Sequence, residues 1–196
     1  MTIKKNIVLE KEGNKPILVD FFYNSSNNKM PVIIFCHGYK GYKDWGAWNL
    51  VAKEFANNNF FFLKFNFSHN GGTVENPIDF PDLNAFGNNN FTHELNDIER
   101  VLSFISENTE FSKNIDLTNI FLIGHSRGGG LCAIKASENK QIKGLITWAG
   151  VSNFKIRFNE GSQEFKEWKD KGVKYVENKR TKQQMPHFFQ FYLDFK

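Results

Sequence analysis

Phe121-Leu-Ile-Gly124-His125-Ser126-Arg127-Gly128-Gly129-Gly130 runs from an apolar stretch directly into glycines gathered around one serine. Residues 124–128 form Gly-x-Ser-x-Gly, the pattern in which a strand reverses into a helix with a nucleophilic serine at the apex. So tight a reversal leaves no space for Cβ atoms at 124 and 128, which are expected to collide across the turn. The serine is forced into strained backbone geometry that holds its hydroxyl clear at the carboxyl edge of a sheet. The helix that follows aims its N-terminus at the same point, where its dipole favours developing negative charge. Five residues alone are a weak signal, and a glycine-rich structural turn is the alternative. The flanks decide in favour of the elbow: Asn119–Gly124 reads as a buried strand, and Gly128–Glu138 as a helix with Leu131, Cys132 and Ile134 on its apolar face.

Working outward, Val32–Cys36 and Phe60–Phe67 are short apolar runs, as expected of strands covered on both faces. Between them Ala47–Asn57 has helical spacing, ended by three asparagines at 57–59. Ile7–Glu10 and Ile17–Phe22 read as a hairpin across Lys11–Pro16, and Asn24–Lys29 as a polar turn. Residues 68–91 read as a long loop rich in Gly, Asn and Pro. Thr92 is the expected cap of a helix with Leu95, Ile98, Val101, Leu102 and Ile105 on one stripe. Lys143–Trp148 is another strand. The fold class that follows is α/β, a mostly parallel sheet with helices on both faces led in by an antiparallel hairpin. Residues 1–150 form the core. Residues 151–196 contain no convincing strand and read as a helical, lid-like segment, with helical patterns over Phe165–Tyr175 and His187–Phe195.

The 196 residues are 40% hydrophobic and 23% charged, ordinary globular proportions that exclude disorder, collagen and coiled coil. The apolar stretches are strand-sized, short of the roughly 20 residues a membrane helix needs. Two lysines near the start lack a following apolar run, so a cytoplasmic location is expected. The net charge of +4 is dispersed, and Lys166–Arg180 interleaves acids with bases, a solvated helical face in place of a nucleic-acid footprint. Cys36 and Cys132 lie inside apolar runs and read as buried thiols. No metal-ligand spacing and no phosphate-cradling loop occurs, so no cofactor is expected.

An acyl-transfer oxyanion needs two converging N–H donors. The Arg127 amide supplies one. The loop Cys36-His37-Gly38-Tyr39-Lys40-Gly41 can supply the other from Tyr39, with Gly38 allowing close approach. His37 reads as a strand-end imidazole bracing that loop, His125 as a packing group beside the serine. Trp148 is a candidate wall of an acyl pocket, although core packing explains it as well. His37 and Gly38 complete the substrate-side candidates. Asp44 is given only the role of capping the helix near Ala47.

The elbow, His37-Gly38, the run Gly38-Tyr-Lys-Gly-Tyr-Lys-Asp-Trp45 and Phe65-Asn-Phe-Ser-His-Asn-Gly71 together resemble the α/β-hydrolase superfamily. The likeness is closest to dienelactone-hydrolase and prolyl-oligopeptidase-like serine hydrolases, and it covers about residues 17–150. It implies Ser126 as nucleophile, the Tyr39 and Arg127 amides as oxyanion hole, a central elbow strand, and a small-molecule or peptide acyl substrate. Partners in nucleic acid or membrane are not expected. In this fold the serine is followed in chain order by an acid and then a histidine. The expectation is that both lie on strands the chain lacks. Asp170 with His187 has the right order, but no intervening strand positions them, and His187 reads as a partly exposed histidine beside Phe188 and Phe189. Two functions remain open: a serine hydrolase of ester, thioester or peptide bonds, or an incomplete hydrolase fold that binds without turnover. Lys143–Trp148 would then be a bare sheet edge prone to self-association.

Overall fold

The structure, a computed structural model, describes residues 1–25 and 28–196. Part of the expected polar turn at 24–29 therefore lies outside the described residues. A six-stranded sheet is built from β1 (Thr2–Leu9), β2 (Ile17–Tyr23), β3 (Met30–Cys36), β4 (Phe61–Asn66), β5 (Ile115–His125) and β6 (Ile142–Trp148). Its order is β1-β2-β4-β3-β5-β6. The β4-β3-β5-β6 part is parallel, and β1 and β2 join it antiparallel. The expected fold class holds. The elbow strand is not central, however: β5 is fifth of six, and β6 forms the edge.

Strand alternation sends successive side chains to opposite faces. Phe61, Leu63 and Phe65 of β4 face one core, together with Val101 and Leu102 of α3 (Phe91–Glu107) and Leu131 of α4 (Arg127–Glu138). Phe62 faces the other core, where Ala52 and Ala56 of α1 (Trp48–Asn57) pack with Phe22 and Phe35. Each fully buried phenylalanine contributes roughly 1.5–3 kcal/mol of transfer free energy, so these two layers hold the sheet that carries the site.

Several local expectations are corrected. The α3 cap is Asn90, whose side chain accepts from the His93 amide, and not Thr92. The loop after β4 is not structureless: Asp82 caps a short helix, α2 (Leu83–Gly87). Asp44 does not cap α1. It joins an ion cluster in which Lys64 Nζ lies 2.7 Å from both Asp20 Oδ2 and Asp44 Oδ1, and Lys43 Nζ 2.8 Å from Asp20 Oδ1. Asp20 and Lys64 are register partners on β2 and β4, and both are fully buried. Alternation alone could place these charges inward; it could not say that they meet.

The segment after residue 150 does contain strands. After α5 (Gln163–Lys171), Gly172 turns the chain in the left-handed region at φ +72. There β7 (Val173–Glu177) pairs antiparallel with β8 (Gln184–Phe188), and α6 (Gln190–Phe195) closes the chain. The expected helix over Phe165–Tyr175 therefore stops at Lys171, and His187 is a strand residue. The hairpin stands apart from the main sheet. Its short strands lack the continuous apolar run that marks the buried strands.

Candidate active site

Ser126 occupies the turn between β5 and α4 with φ +53 and ψ −117. A non-glycine residue tolerates that region only where its surroundings fix it. They do so through the main chain: the Ser126 amide donates to the Trp148 carbonyl at 2.9 Å, and its carbonyl accepts from Gly129 at 3.0 Å and Val151 at 2.9 Å. A Cβ on Gly124 would fall 2.5 Å from Gly129 Cα, across the turn as the sequence suggested. A Cβ on Gly128 would strike a different neighbour, the carbonyls of Cys36 and His37. Glycine at 128 thus lets α4 press against the loop leaving β3.

That loop lies over the serine. A Cβ at Gly38 would sit 3.0 Å from Ser126 Cβ, and the Gly41 amide closes a turn on the Gly38 carbonyl at 3.0 Å. Arg127 opens α4, so its amide has no intrahelical acceptor. His37 is buried and braces the loop: its Nδ1 meets the Gly38 carbonyl at 2.9 Å, and its Nε2 accepts from the Phe67 amide at 3.3 Å. Burial, with Arg127 and His125 nearby, lowers its pKa to about 4, so it is neutral. His125 packs against both Trp45 and Trp48, ring centroids 6.4 and 5.2 Å away.

Ser126, Tyr39, Arg127 and His187 open onto one cavity of about 410 Å³. Phe91, Phe154, Phe158 and Phe191 give it an apolar wall, and Trp168 and Val176 contribute from the α5–β7 side. Trp148 is not among the lining residues. It packs against Phe35 and Trp48, at centroid distances of 6.2 and 6.1 Å, so the pocket role considered for it is corrected to core packing. His37 and Gly38 line a neighbouring cavity beneath Trp45 and Trp48, not the one at Ser126.

His187 is not a bystander of the Phe188–Phe189 stripe. Its Nε2 is 2.7 Å from the Tyr39 hydroxyl, and its own carbonyl accepts from Trp168 Nε1 at 2.7 Å. Burial first, then the charges of Arg127, Lys174 and Lys40, lowers its pKa to about 4. Burial likewise raises the Tyr39 phenol to about 12, so the pair is a neutral hydrogen bond. Among the described residues no imidazole or carboxylate hydrogen-bonds the Ser126 hydroxyl, and Asp170 is exposed on α5.

Sequence reading missed Glu94. Its Oε2 lies 3.0 Å from Arg127 Nε, and the pair is largely buried. Burial pushes the Glu94 carboxyl up, while Arg127 and a 2.9 Å hydrogen bond from Asn89 pull it back. The guanidinium also stands over the rings of Phe191, Phe91 and Tyr39 at 4.7, 5.3 and 5.9 Å. A carboxylate on the apolar stripe of α3 was the available signal, because an acid seldom turns inward without a partner.

No helix among the described residues is long and apolar enough to cross a membrane. No curated protein matches the sequence. Solved structures do. The hypothetical protein PA2218 from Pseudomonas aeruginosa is 16% identical at a TM-score of 0.66, covering 91% of this chain and 58% of that one. Mouse alpha/beta hydrolase domain-containing protein 10 is 17% identical at 0.67, with 97% and 68% covered. Est1E from Butyrivibrio proteoclasticus, solved with ferulic acid bound, is 20% identical at 0.57, with 73% and 53% covered. At these identities the likeness is one of fold, and this chain spans just over half to about two thirds of those lengths. The BD-FAE family model matches residues 19–185. With that match over most of its length, the chain belongs to the BD-FAE family, and its sheet and helices have the α/β-hydrolase fold of these neighbours.

Proposed function

We propose that the protein is an acyl hydrolase of ester, thioester or peptide bonds, with Ser126 as its nucleophile. One observation carries the reading: a serine held in strained backbone at a strand-to-helix turn, opening onto a largely apolar cavity. In the reaction Ser126 Oγ bonds to the substrate carbonyl carbon and passes its proton to a water molecule in the open cavity. The carbonyl oxygen, now anionic, is held by the Tyr39 and Arg127 amides. The intermediate then collapses, the bond to the leaving group breaks, and the leaving group takes that proton back from the water. Water repeats the sequence to release the acid.

Among the described residues no side chain is hydrogen-bonded to Ser126 Oγ to take its proton. His187 shares the cavity, but its Nε2 is engaged by Tyr39 and its low pKa makes it a weak base near neutrality. Those two facts favour a second reading, in which the site binds acyl compounds without efficient turnover. An elbow and oxyanion hole lacking a base retain about 10³–10⁴-fold acceleration in well-studied triads. Labelling by a fluorophosphonate, read by intact mass, separates the two readings. Rapid one-to-one labelling, lost in Ser126→Ala, is the expected result for the hydrolase. A folded protein that stays unlabelled would leave only the binding reading.

A further inference from the structure

The Ser126 cavity has an unbalanced charge. Arg127, Arg157 and Lys174 all line it, and among the described residues no aspartate or glutamate does. Glu94 pairs with Arg127 from α3 without lining the cavity, and Glu164 reaches Lys174 at 3.3 Å while itself exposed. The field is felt by neighbouring groups: Arg127 disfavours protonation of both His37 and His187, and Lys174 and Lys40 add to the effect on His187.

Arg127 is also held still. Its guanidinium is charge-paired with Glu94 and flanked by three rings, and both its Nε and its Nη2 are enclosed without a hydrogen-bond partner. A buried, unsatisfied donor costs roughly 1–3 kcal/mol, so this side chain gains by acquiring an acceptor. A fixed cation in an apolar wall suits a ligand with two parts, an apolar or aryl body and an anionic end.

We propose that the cavity selects acyl groups bearing a second, negatively charged terminus such as a carboxylate, and that the Arg127 side chain is the residue that reads that charge. Lys174 and Arg157 assist from the lid segment. The proposal rests on Ser126 as the reacting centre, but it makes its own prediction about binding. It assigns two tasks to one residue: the Arg127 amide serves the oxyanion, and its side chain serves the far end of the acyl group.

Calorimetric titration with 4-phenylbutyrate and with its neutral amide tests this without any turnover. The full chain should bind the acid about tenfold or more tightly than the amide, as a charge-assisted contact warrants. The double variant Arg127→Met with Glu94→Gln removes both partners together. It should erase the preference while retaining affinity for the amide. Should it fail to fold, Lys174→Met and Arg157→Met carry the same readout, each reducing the preference in part. Equal binding of acid and amide by the full chain overturns the proposal. So does a preference that survives all these variants, because the acid would then be sitting at the backbone amides. An anion preference without fluorophosphonate labelling would sink the hydrolase reading and keep this one; labelling without the preference would do the reverse.

Discussion

Tyr39 and His187 lie 148 positions apart and meet through a 2.7 Å hydrogen bond between hydroxyl and Nε2. One follows β3 beside Ser126 and the other sits on β8, so this contact fastens the β7–β8 hairpin to the loop over Ser126. Phe86 packs against both rings, at 5.9 Å from Tyr39 and 5.6 Å from His187. The loop between β4 and α3 therefore joins the same fastening.

Removing the hydroxyl tests it. Tyr39→Phe should cost about 1 kcal/mol of stability, the usual net worth of such a bond. Hydrogen exchange should quicken across β7 and β8 and stay unchanged in β5. Uniform change in both regions would show that the contact does not hold the hairpin.

Acid should destabilise the protein well before its carboxylates are all protonated. His37, His69 and His187 each have a folded pKa near 4, below the unfolded value near 6.5, chiefly through burial. Groups depressed in this way support folding above 6.5, and the support is lost as pH falls from there toward 4. Asp97 acts oppositely: burial raises it to about 6, so it favours the fold at low pH and loses that contribution as pH rises through 6. Burial raises Glu94 in the same sense. Three imidazoles outweigh these, and Tm should decline between pH 6.5 and 4. Asp97→Asn removes an opposing group and should steepen the decline; a flat Tm over that range would refute the account.

The glycines that flank Ser126 are not interchangeable with alanine. Gly128→Ala would drive a methyl group into the carbonyls of Cys36 and His37, and should cost about 3 kcal/mol or prevent folding. Gly161→Ala meets nothing within 4 Å and should be close to neutral. Urea melts of the two side by side make the comparison.

The Asp20–Lys64 pair should be worth little in itself and much when halved. Lys64→Met leaves Asp20 with Lys43 and the Asn6 amide on Oδ1 but nothing on Oδ2, and should cost about 1–3 kcal/mol. Adding Asp20→Asn should restore a good part of that. A double variant no more stable than the single one would mean that the wider cluster, with Asp44, acts as one unit.

We also propose that β6 supports association of two copies. It is an edge strand with Leu145 and Ile146 exposed by 38% and 45%. Sedimentation velocity should show concentration-dependent dimer in the native chain and monomer in Ile146→Lys. A native chain that stays monomeric throughout would dispose of it.

The core was legible because its signals are local: apolar runs of strand length, helical stripes, and glycines with a steric reason at 124 and 128. The meeting of distant residues was not. Nothing near His187 in sequence marks Tyr39 as its partner, and Glu94 differs from a surface glutamate only by its place on the α3 stripe. The hairpin at 173–188 escaped because its strands are only five residues long and half-solvated, and because Pro186 argues against a strand. Asp44 was misread for a related reason, since an acid just before a helix looks like a cap until Lys64 is seen opposite it.

The main-chain bonds from Ser126 to Trp148 and Val151 have a consequence for how such a protein can change. Backbone atoms alone set the serine's position relative to the strand end beyond it. Side chains after Val151 can therefore be changed without breaking the bonds that seat the reacting atom, provided His187 stays to hold Tyr39. The cavity wall at Phe158 and Val176 can then drift by single substitutions, trying new shapes against a serine whose seat is written in main chain.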